Sequence, residues 1–160
     1  MTVPDPTHEL KVLEGNLDDA AVSSLLMEHL RHMASLSPPE SVHALGTDDL
    51  RDARVTFWSF WKSGDLAGCA ALKQLDRNHG EIKSMRTSAN HLRQGIAAKM
   101  LTHVMDQATA RGYRRLSLET GSMDAFNPAR VLYERFGFEY CEPFADYVLD
   151  PNSVFMTKTL

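Results

Sequence analysis

Leu92-Arg93-Gln94-Gly95-Ile96-Ala97 is a glycine turn that opens directly into an amphipathic helix. Apolar residues recur after the turn with helical spacing, over about three turns. They are Ile96, Ala97, Met100, Leu101, Val104, Met105 and Ala108. A helix start has unpaired N–H groups and the positive end of the helix dipole, and Gly95 has no Cβ to keep a ligand away. A polar strand candidate at residues 80–87 precedes the turn, so this order predicts a cradle for a diphosphate group.

The composition is that of an ordinary globular protein. With 160 residues, 43% hydrophobic and 24% charged, the chain can bury a core and predicts a single domain over residues 1–160. The net charge of −4 and the scattered basic residues argue against a nucleic-acid surface. No apolar run approaches the roughly 20 residues that cross a bilayer, and residues 1–10 lack a signal-peptide pattern, so no membrane association is expected. Cys69 and Cys141 are expected to be buried free thiols, which favours a cytoplasmic location.

The first half of the chain predicts a strand, two helices and three further strands. Residues 10–13 predict a short strand, and Asn16 is expected to cap the helix that ends at Ser37-Pro38-Pro39. A short helix is expected at residues 48–51. The next strands are predicted at residues 55–62, 66–75 and 81–87, with the turn Ser63-Gly64-Asp65 joining the first two as a hairpin.

The second half predicts two helices between strands. The glycine-turn helix ends at Arg111-Gly112, and residues 114–120 predict the next strand. Asn127 is expected to cap a helix over residues 127–136, with Pro128 at its first position and Gly137 at its end. Strands at residues 138–144 and 154–158 complete the order. This alternation predicts the α/β class, a mixed sheet with helices on both faces.

With this order in place, three segments resemble the GNAT acetyltransferase superfamily. They are Gly80-Glu81-Ile82-Lys83-Ser84-Met85-Arg86-Thr87, Arg93-Gln94-Gly95-Ile96-Ala97 and Asn127-Pro128-Ala129-Arg130-Val131-Leu132-Tyr133-Glu134-Arg135-Phe136-Gly137-Phe138. The resemblance covers essentially the whole chain. It implies a mostly antiparallel, twisted sheet in which the strand at residues 81–87 carries a bulge and splays from the strand at residues 114–120. The poor alternation of residues 83–86 agrees with a bulge, and an ordinary polar edge strand is the alternative.

The same resemblance implies an acetyl-CoA-dependent transferase whose pantetheine arm lies in the gap between the splayed strands. The residues that it places at the cofactor are Met85, Arg86, Thr87, Leu92, Arg93, Gln94, Gly95, Ile96, Ala97, Asn127 and Arg130. One departure is Leu92, which stands where the family usually has Arg or Gln; Arg93 stands where a second glycine is common. Backbone donors are expected to keep the diphosphate site, and Arg93 or Gln94 can supply compensating contacts.

Two residues are the catalytic candidates. The resemblance places Tyr133 at the family's general acid, and a phenol is protonated at neutral pH and can supply a proton to a thiolate. The alternative is a core tyrosine, because Tyr133 shares a helical face with Ala129, Leu132 and Phe136. Glu81 matches a glutamate that some family members use as a base for the amine. Its alternative is a solvated carboxylate at the end of a strand.

The acceptor side is expected to involve Lys83, Glu119, Glu40 and His43. Lys83 can pair with an acidic group of the substrate, or it can belong to a charged strand face. Glu119 follows the neighbouring strand, and Glu40 and His43 lie in the segment after the first helix, which the family uses for its acceptor pocket. No metal site is expected, because His29 and His32 fit an exposed helix face and no other ligand frame accompanies them.

The sequence therefore predicts an N-acetyltransferase for a small amine-bearing metabolite. Transfer is expected to be direct, in a ternary complex, because no cysteine lies in the motifs to form an acetyl-enzyme. Two alternatives stay open: a catalytically silent acyl-CoA-binding regulatory module, and an acetyltransferase for a protein lysine or N-terminus. A homodimer is a reasonable expectation for such a fold.

Overall fold

The computed structural model of the chain describes residues 9–42, 46 and 48–160. Within these residues, seven strands form one sheet, and three α-helices pack against it. The strands are β1 (Lys11–Glu14), β2 (Val55–Lys62), β3 (Asp65–Asp76), β4 (His79–Thr87), β5 (Arg115–Gly121), β6 (Glu139–Cys141) and β7 (Ser153–Thr159). The α-helices are α1 (Ala20–Leu36), α2 (Ile96–Ala110) and α3 (Asn127–Arg135), and short 3₁₀ helices occupy Pro39–Ser41, Asp49–Arg51, Ala89–His91 and Asp124–Phe126.

The sheet has the strand order β1-β2-β3-β4-β5-β7-β6 and is antiparallel except where β4 meets β5. This confirms the mixed, mostly antiparallel sheet. The parallel pair extends only from His79 opposite Arg115 to Ile82 opposite Leu118. Both strands continue beyond that point, so they separate and leave a gap between the end of β4 and the end of β5. The predicted splay is therefore confirmed.

The predicted bulge lies in β4. Cys69 of β3 is opposite Arg86, and Ala71 is opposite Lys83, so two steps along β3 correspond to three along β4. The extra residue is accommodated at Ser84, whose φ of 54° lies in the left-handed region. A bulge changes the direction in which the following side chains point, and it lies here at the edge of the gap.

The two longest helices cover opposite faces of the sheet. Side chains alternate along β3, so Cys69 and Ala71 join a cluster with α1, while Ala70 and Leu72 join the cluster that contains α2. Met100, Leu101 and Val104 of α2 are completely buried, and each such side chain contributes about 1.5–3 kcal/mol of hydrophobic stabilisation. The apolar spacing that follows Gly95 is thus the core-facing side of α2, and the predicted two-sided arrangement is confirmed.

Two helix caps differ from the predictions. Asp19, rather than Asn16, caps α1, because Asp19 is extended and its carboxylate accepts hydrogen bonds from the N–H groups of Ala21 and Val22 at 2.9 and 3.2 Å. Asn127 is not the cap of α3 either. It already has helical dihedral angles, because the 3₁₀ turn Asp124–Phe126 leads directly into the helix.

The strand predicted at residues 138–144 is much shorter. β6 pairs with β7 only over Glu139–Cys141, and Pro143, which has no N–H to donate, follows soon after. The chain then continues as an irregular segment to β7. Cys69 is a buried free thiol as predicted, but Cys141 is free and only half-buried. No helix in the described part of the chain is both long and apolar enough to cross a membrane.

Candidate active site

The gap between β4 and β5 opens into a small cavity of about 140 Å³. Its wall combines α1, the 3₁₀ turn after it, the bulged part of β4, the end of β5, α3 and the segment between β6 and β7. The lining residues are His29, Met33, Ser37, Ser41, Val42, Glu81, Ile82, Lys83, Ser84, Met85, Glu119, Thr120, Gly121, Phe126, Ala129, Tyr133 and Tyr147. Five residues predicted for the site from the sequence thus line one cavity: Tyr133, Glu81, Lys83, Glu119 and Met85.

Tyr133 reaches this cavity from α3. The residue is buried, and its ring meets that of Phe138 edge to face with 5.8 Å between centroids. Burial raises the pKa of the Tyr133 phenol, and the charge of Glu119 raises it further. The phenol is therefore protonated at neutral pH. Tyr133 also belongs to the core cluster, so it packs as a core tyrosine and faces the cavity at the same time.

Glu81 is buried, with only 2% of its surface exposed, so the alternative of a solvated carboxylate is wrong. Lys83 Nζ lies 3.3 Å from Glu81 Oε2 and donates a 2.8 Å hydrogen bond to the hydroxyl of Tyr147. That hydroxyl in turn donates a 2.5 Å hydrogen bond to Glu81 Oε2. Burial raises the pKa of Tyr147, and so do the charge of Glu81 and the hydrogen bond to it. Lys83 therefore belongs to a buried cluster, and the charged strand face that it shares with Glu81 is not exposed.

Sequence reasoning did not find Tyr147. It lies in the irregular segment between β6 and β7, 66 residues beyond Glu81, and nothing in its local sequence marks it. Only the long-range path of the chain brings it to the cavity.

Glu119 lies near the end of β5, just beyond the part that pairs with β4, whereas Glu81 lies within the paired part of β4. Ser153 Oγ donates a 2.9 Å hydrogen bond to Glu119 Oε1. Burial raises the pKa of Glu119, against the lowering effects of the Ser153 hydrogen bond and the Lys83 charge. The cavity therefore has a carboxylate on each of the two splayed strands, and these are groups that can attract a cationic amine or accept its proton.

His29 also lines the cavity and is buried, so the predicted exposed face is wrong for this residue, although His32 is exposed. Burial lowers the pKa of His29 to about 4, and the positive charge of Arg86 adds to this effect. The imidazole is therefore neutral at pH 7. Its spacing from Val22, Leu25 and Leu26 places it on the apolar face of α1, which is the sequence signal that could have found it.

The remaining acceptor candidates do not line the cavity. Glu40 is exposed in the 3₁₀ turn Pro39–Ser41, and the following residues Ser41 and Val42 form the wall instead. Ser41 is held there by a 2.5 Å hydrogen bond from its Oγ to Asp150. His43 lies outside the residues that the structure describes.

The start of α2 has the properties expected of a diphosphate site. Gly95 is the N-cap in the left-handed conformation, with φ of 76°, and no side chain caps the helix. The first N–H groups of a helix have no intrahelical partner, so they remain available to an anion. A Cβ placed on Gly95 would meet nothing within 4 Å, so this turn is open on the side of the glycine.

The other residues of the turn divide into exposed and buried positions. Leu92, Arg93 and Gln94 are exposed, and Gln94 accepts a 2.9 Å hydrogen bond from Lys62 Nζ. Ile96 is buried in the core, and Ala97 is half-buried. Only the exposed residues and the backbone of the turn can therefore reach a ligand outside the helix.

Of the cofactor candidates outside this turn, Met85 lines the cavity, and Thr87 pairs with Gly68 at the end of β4. Arg86 forms an ion pair with Glu28 of α1, with 3.4 Å between Nη2 and Oε1. Arg130 Nη1 donates to the carbonyl oxygens of Gly121 and Met123, at 2.6 and 3.0 Å.

The side chains of both arginines are thus engaged within the protein. That of Arg130 fixes the end of β5 to α3. Asn127 is exposed in the first turn of α3.

A second cavity of about 500 Å³ lies beside the first. Glu81, Lys83 and Tyr147 line both cavities, so their cluster forms a shared wall. Across residues 9–42, 46 and 48–160, no three His, Cys, Asp or Glu side chains are grouped as a metal site.

Comparison with known proteins places these features in a family. The family model for the acetyltransferase (GNAT) family matches residues 22–138. The uncharacterised N-acetyltransferase YsnE of Bacillus subtilis (strain 168) is 63% identical over 145 residues, which are 91% of this chain and 96% of YsnE. YedL of Escherichia coli (strain K12), also named an uncharacterised N-acetyltransferase, is 50% identical over 91% of each chain. The IAA acetyltransferase of Azospirillum brasilense is 35% identical over 92% of this chain and 95% of its own.

Solved structures have the same fold. An acyl-CoA N-acyltransferase homologue from Klebsiella pneumoniae superposes with a TM-score of 0.77 and 26% identity, covering 96% of this chain and 99% of its own. A GNAT family acetyltransferase from Elizabethkingia anophelis, solved with acetyl-CoA bound, has a TM-score of 0.67 and 15% identity, over 94% of this chain and 98% of its own.

Proposed function

The chain belongs to the GNAT family of acetyltransferases, and we propose that it transfers an acetyl group from acetyl-CoA to the amine of a small metabolite. The observation that carries this proposal is the cavity of about 140 Å³ that Tyr133 and Glu81 line together. Ligand sites for drug-sized molecules span about 300–1,000 Å³. A cavity this small limits the acceptor group that can enter it to a small one.

In this proposal Glu81 is the general base. An amine is protonated at neutral pH, so it must lose a proton before its nitrogen can attack. Glu81 Oε2 already accepts hydrogen bonds from Tyr147 and Lys83, and its other oxygen remains to accept the proton of the amine. The burial of Glu81 keeps bulk water away from this transfer.

Tyr133 is the general acid. The amine nitrogen bonds to the thioester carbonyl carbon, the carbon–sulfur bond breaks, and the departing sulfur takes the proton of the phenol. The raised pKa of Tyr133 keeps the phenol protonated before the reaction. After the phenol has given its proton to the sulfur, it takes up the proton that the nitrogen of the new amide releases. The net products are the acetylated amine, CoA with a free thiol and one proton.

The start of α2 holds the diphosphate of acetyl-CoA in this proposal, through the N–H groups that follow Gly95. The lack of a side-chain cap supports this, because the donors are otherwise unpaired. Arg93 and Gln94 supply contacts that Leu92 cannot. The backbone of β4 beyond Ile82, which no longer pairs with β5, holds the pantetheine arm.

We also propose a location, an oligomeric state and a domain organisation for the chain. The free thiols of Cys69 and Cys141 favour a cytoplasmic location. A homodimer is expected, and light scattering measures it. A single domain over residues 1–160 is expected to unfold in one transition.

The test is thiol release from acetyl-CoA with a panel of amines, amino acids and peptides. Tyr133→Phe should lower kcat by on the order of 100-fold while calorimetry finds the affinity for acetyl-CoA unchanged. Tyr113→Phe is the matched control, because Tyr113 is equally buried but lies outside the cavity wall, and it should keep wild-type turnover. Turnover with peptides alone would contradict the small-metabolite proposal, and wild-type protein that does not bind acetyl-CoA would contradict the function.

A further inference from the structure

Two buried polar atoms in the cavity wall have no hydrogen-bond partner among the described residues. They are Nδ1 of His29 and Oγ of Ser84. The two residues come from different elements, α1 and the bulge of β4, and both line the 140 Å³ cavity. Native proteins pair nearly all of their buried polar groups, so two unpaired atoms behind one cavity wall mark a place where a ligand can supply the partner once the side chains turn into the cavity.

The charge around these atoms is positive. The Arg86 guanidinium lies close enough to His29 to act on its ionisation, and Lys83 lines the same cavity. Glu28 partly offsets Arg86, but its side chain is 47% exposed, whereas that of Arg86 is only 19% exposed. A neutral imidazole can donate from Nδ1, and a serine hydroxyl can donate from Oγ. This part of the wall therefore offers hydrogen-bond donors beside positive charge, which suits an anion.

The part of the wall that contains Glu81 and Glu119, the two carboxylates on the splayed strands, is negatively charged and suits a cation. They suit the ammonium group of an amine acceptor. A small molecule that satisfies both parts of the wall has a carboxylate and an amine separated by only a few atoms.

We infer that the acceptor is a small amino acid, whose carboxylate is bound by His29 and Ser84 while its amine faces Glu81 and Glu119. This inference rests on the proposed acetyltransferase function and specifies its substrate class. His29 and Ser84 are then specificity residues, because they contact the substrate without taking part in the transfer of protons. Lys83 adds charge attraction for the carboxylate from its place between Glu81 and Tyr147.

The first experiment compares matched acceptors with the wild-type protein. Each of a set of small amino acids is assayed beside its primary amide and its decarboxylated amine, with thiol release from acetyl-CoA as the readout. The acid should exceed the amide and the amine in kcat/KM by at least about tenfold, because a site built for a charged hydrogen-bond partner discriminates strongly against its absence. Equal or better turnover of the amide or the amine would overturn the inference and leave the acetyltransferase function intact.

The second experiment uses His29→Leu and Ser84→Ala. Each should raise the KM for the amino acid at least about tenfold, reduce the preference for acid over amide, and leave the KM for acetyl-CoA unchanged. His32→Leu is the matched control, since His32 is exposed three residues further along α1 and should keep wild-type kinetics. Neither test variant removes a partner that the described residues provide, so both should fold.

If His29→Leu does not fold, Ser84→Ala and calorimetry of the amino acid with the wild-type protein loaded with CoA decide the question. No binding of the acid in the calorimeter would overturn the inference. Turnover of no amine of any kind, despite acetyl-CoA binding, would contradict the proposed function itself and the inference with it.

Discussion

Tyr147 donates a 2.5 Å hydrogen bond to Oε2 of Glu81, from a segment 66 residues further along the chain. Lys83 Nζ donates to the same tyrosine hydroxyl at 2.8 Å. Glu81 and Lys83 are on β4, whereas Tyr147 belongs to the segment between β6 and β7. The contact therefore ties that segment to the strand that carries the proposed base, and it forms the wall between the two cavities.

Tyr147→Phe should destabilise the fold, because it removes a hydrogen bond to a buried carboxylate. Such bonds contribute about 1.5–3 kcal/mol, and urea unfolding measures the change in the free energy of unfolding. Tyr140→Phe is a matched control. Tyr140 donates a 2.6 Å hydrogen bond to Glu134, but Tyr140 is 54% exposed. Its loss should change stability by no more than about 0.5 kcal/mol. Equal effects of the two variants would contradict the structural role of Tyr147.

Glu81→Gln should separate the roles of the two carboxylates in the cavity. If Glu81 removes the proton of the amine, its replacement should lower kcat by about 10²–10⁴-fold at saturating acetyl-CoA. Glu119→Gln should have a smaller effect, expressed mainly in the KM for the amine, because an amide oxygen can still accept the hydrogen bond of Ser153. Steady-state kinetics of both variants measure kcat and the KM for the amine. A larger loss of kcat in Glu119→Gln would assign the base to Glu119 instead.

Gly95→Asp should weaken the binding of CoA. The turn is open around Gly95, so the added Cβ meets no protein atom, and the carboxylate places negative charge at the start of α2, where the diphosphate is proposed to bind. The dissociation constant of CoA, measured by calorimetry, should rise by at least about tenfold, because the new carboxylate repels the diphosphate from a helix start that otherwise attracts it.

Gly112→Asp is the control for the backbone strain. Gly112 also has a positive φ, of 81°, and also has open space around a Cβ, but it follows the end of α2. Both substitutions should lower the free energy of unfolding by about 1 kcal/mol, and only Gly95→Asp should affect CoA. Weakened CoA binding in both variants would point to loss of fold rather than to a site at Gly95.

Most of the fold could be predicted from the sequence because it depends on local spacing. The apolar period after Gly95 determines the buried face of α2, and the turn Ser63-Gly64 determines the β2–β3 hairpin. The irregular residues 83–86 indicated the bulge, which lies at Ser84. The caps were harder: Asn16 and Asp19 are both good capping residues three positions apart, and only the backbone path of the folded chain selects one of them.

The site was less predictable because its contacts are long-range. Tyr133 and Glu81 followed from the resemblance and Lys83 from its charge, but Tyr147 completes the cluster of Glu81 and Lys83 from a segment with no motif. The expectation that Arg130 lies at the cofactor stays a prediction; what spacing did not indicate is that its guanidinium donates to the carbonyl oxygens of Gly121 and Met123. Sequence spacing can place a side chain on a helix face, but it does not say which distant backbone atoms that side chain will meet.

Burial of His29 should make stability depend on pH. Its pKa is about 4 in the folded protein and 6.5 for an ordinary histidine. Between these values the unfolded chain holds a proton that the folded chain does not, so the free energy of unfolding rises with pH and falls as the solution is acidified from pH 6.5 to about 4. The difference of about 2.5 pKa units corresponds to roughly 3 kcal/mol. Below pH 4 both states are protonated, and this contribution no longer changes.

His29→Leu should abolish this part of the acid sensitivity, so its stability should fall by roughly 3 kcal/mol less than that of the wild-type protein over the same pH interval. Urea unfolding at several pH values between 6.5 and 4 measures the slope. His32→Leu is the control: burial and the charge of Arg86 lower the pKa of His32 as well, but His32 is exposed and solvent screens the effect, so this variant should lose only a small part of the wild-type slope. If His29→Leu also keeps that slope, the acid sensitivity comes from other groups, and His29 is not held neutral by its burial between α1 and the bulge of β4.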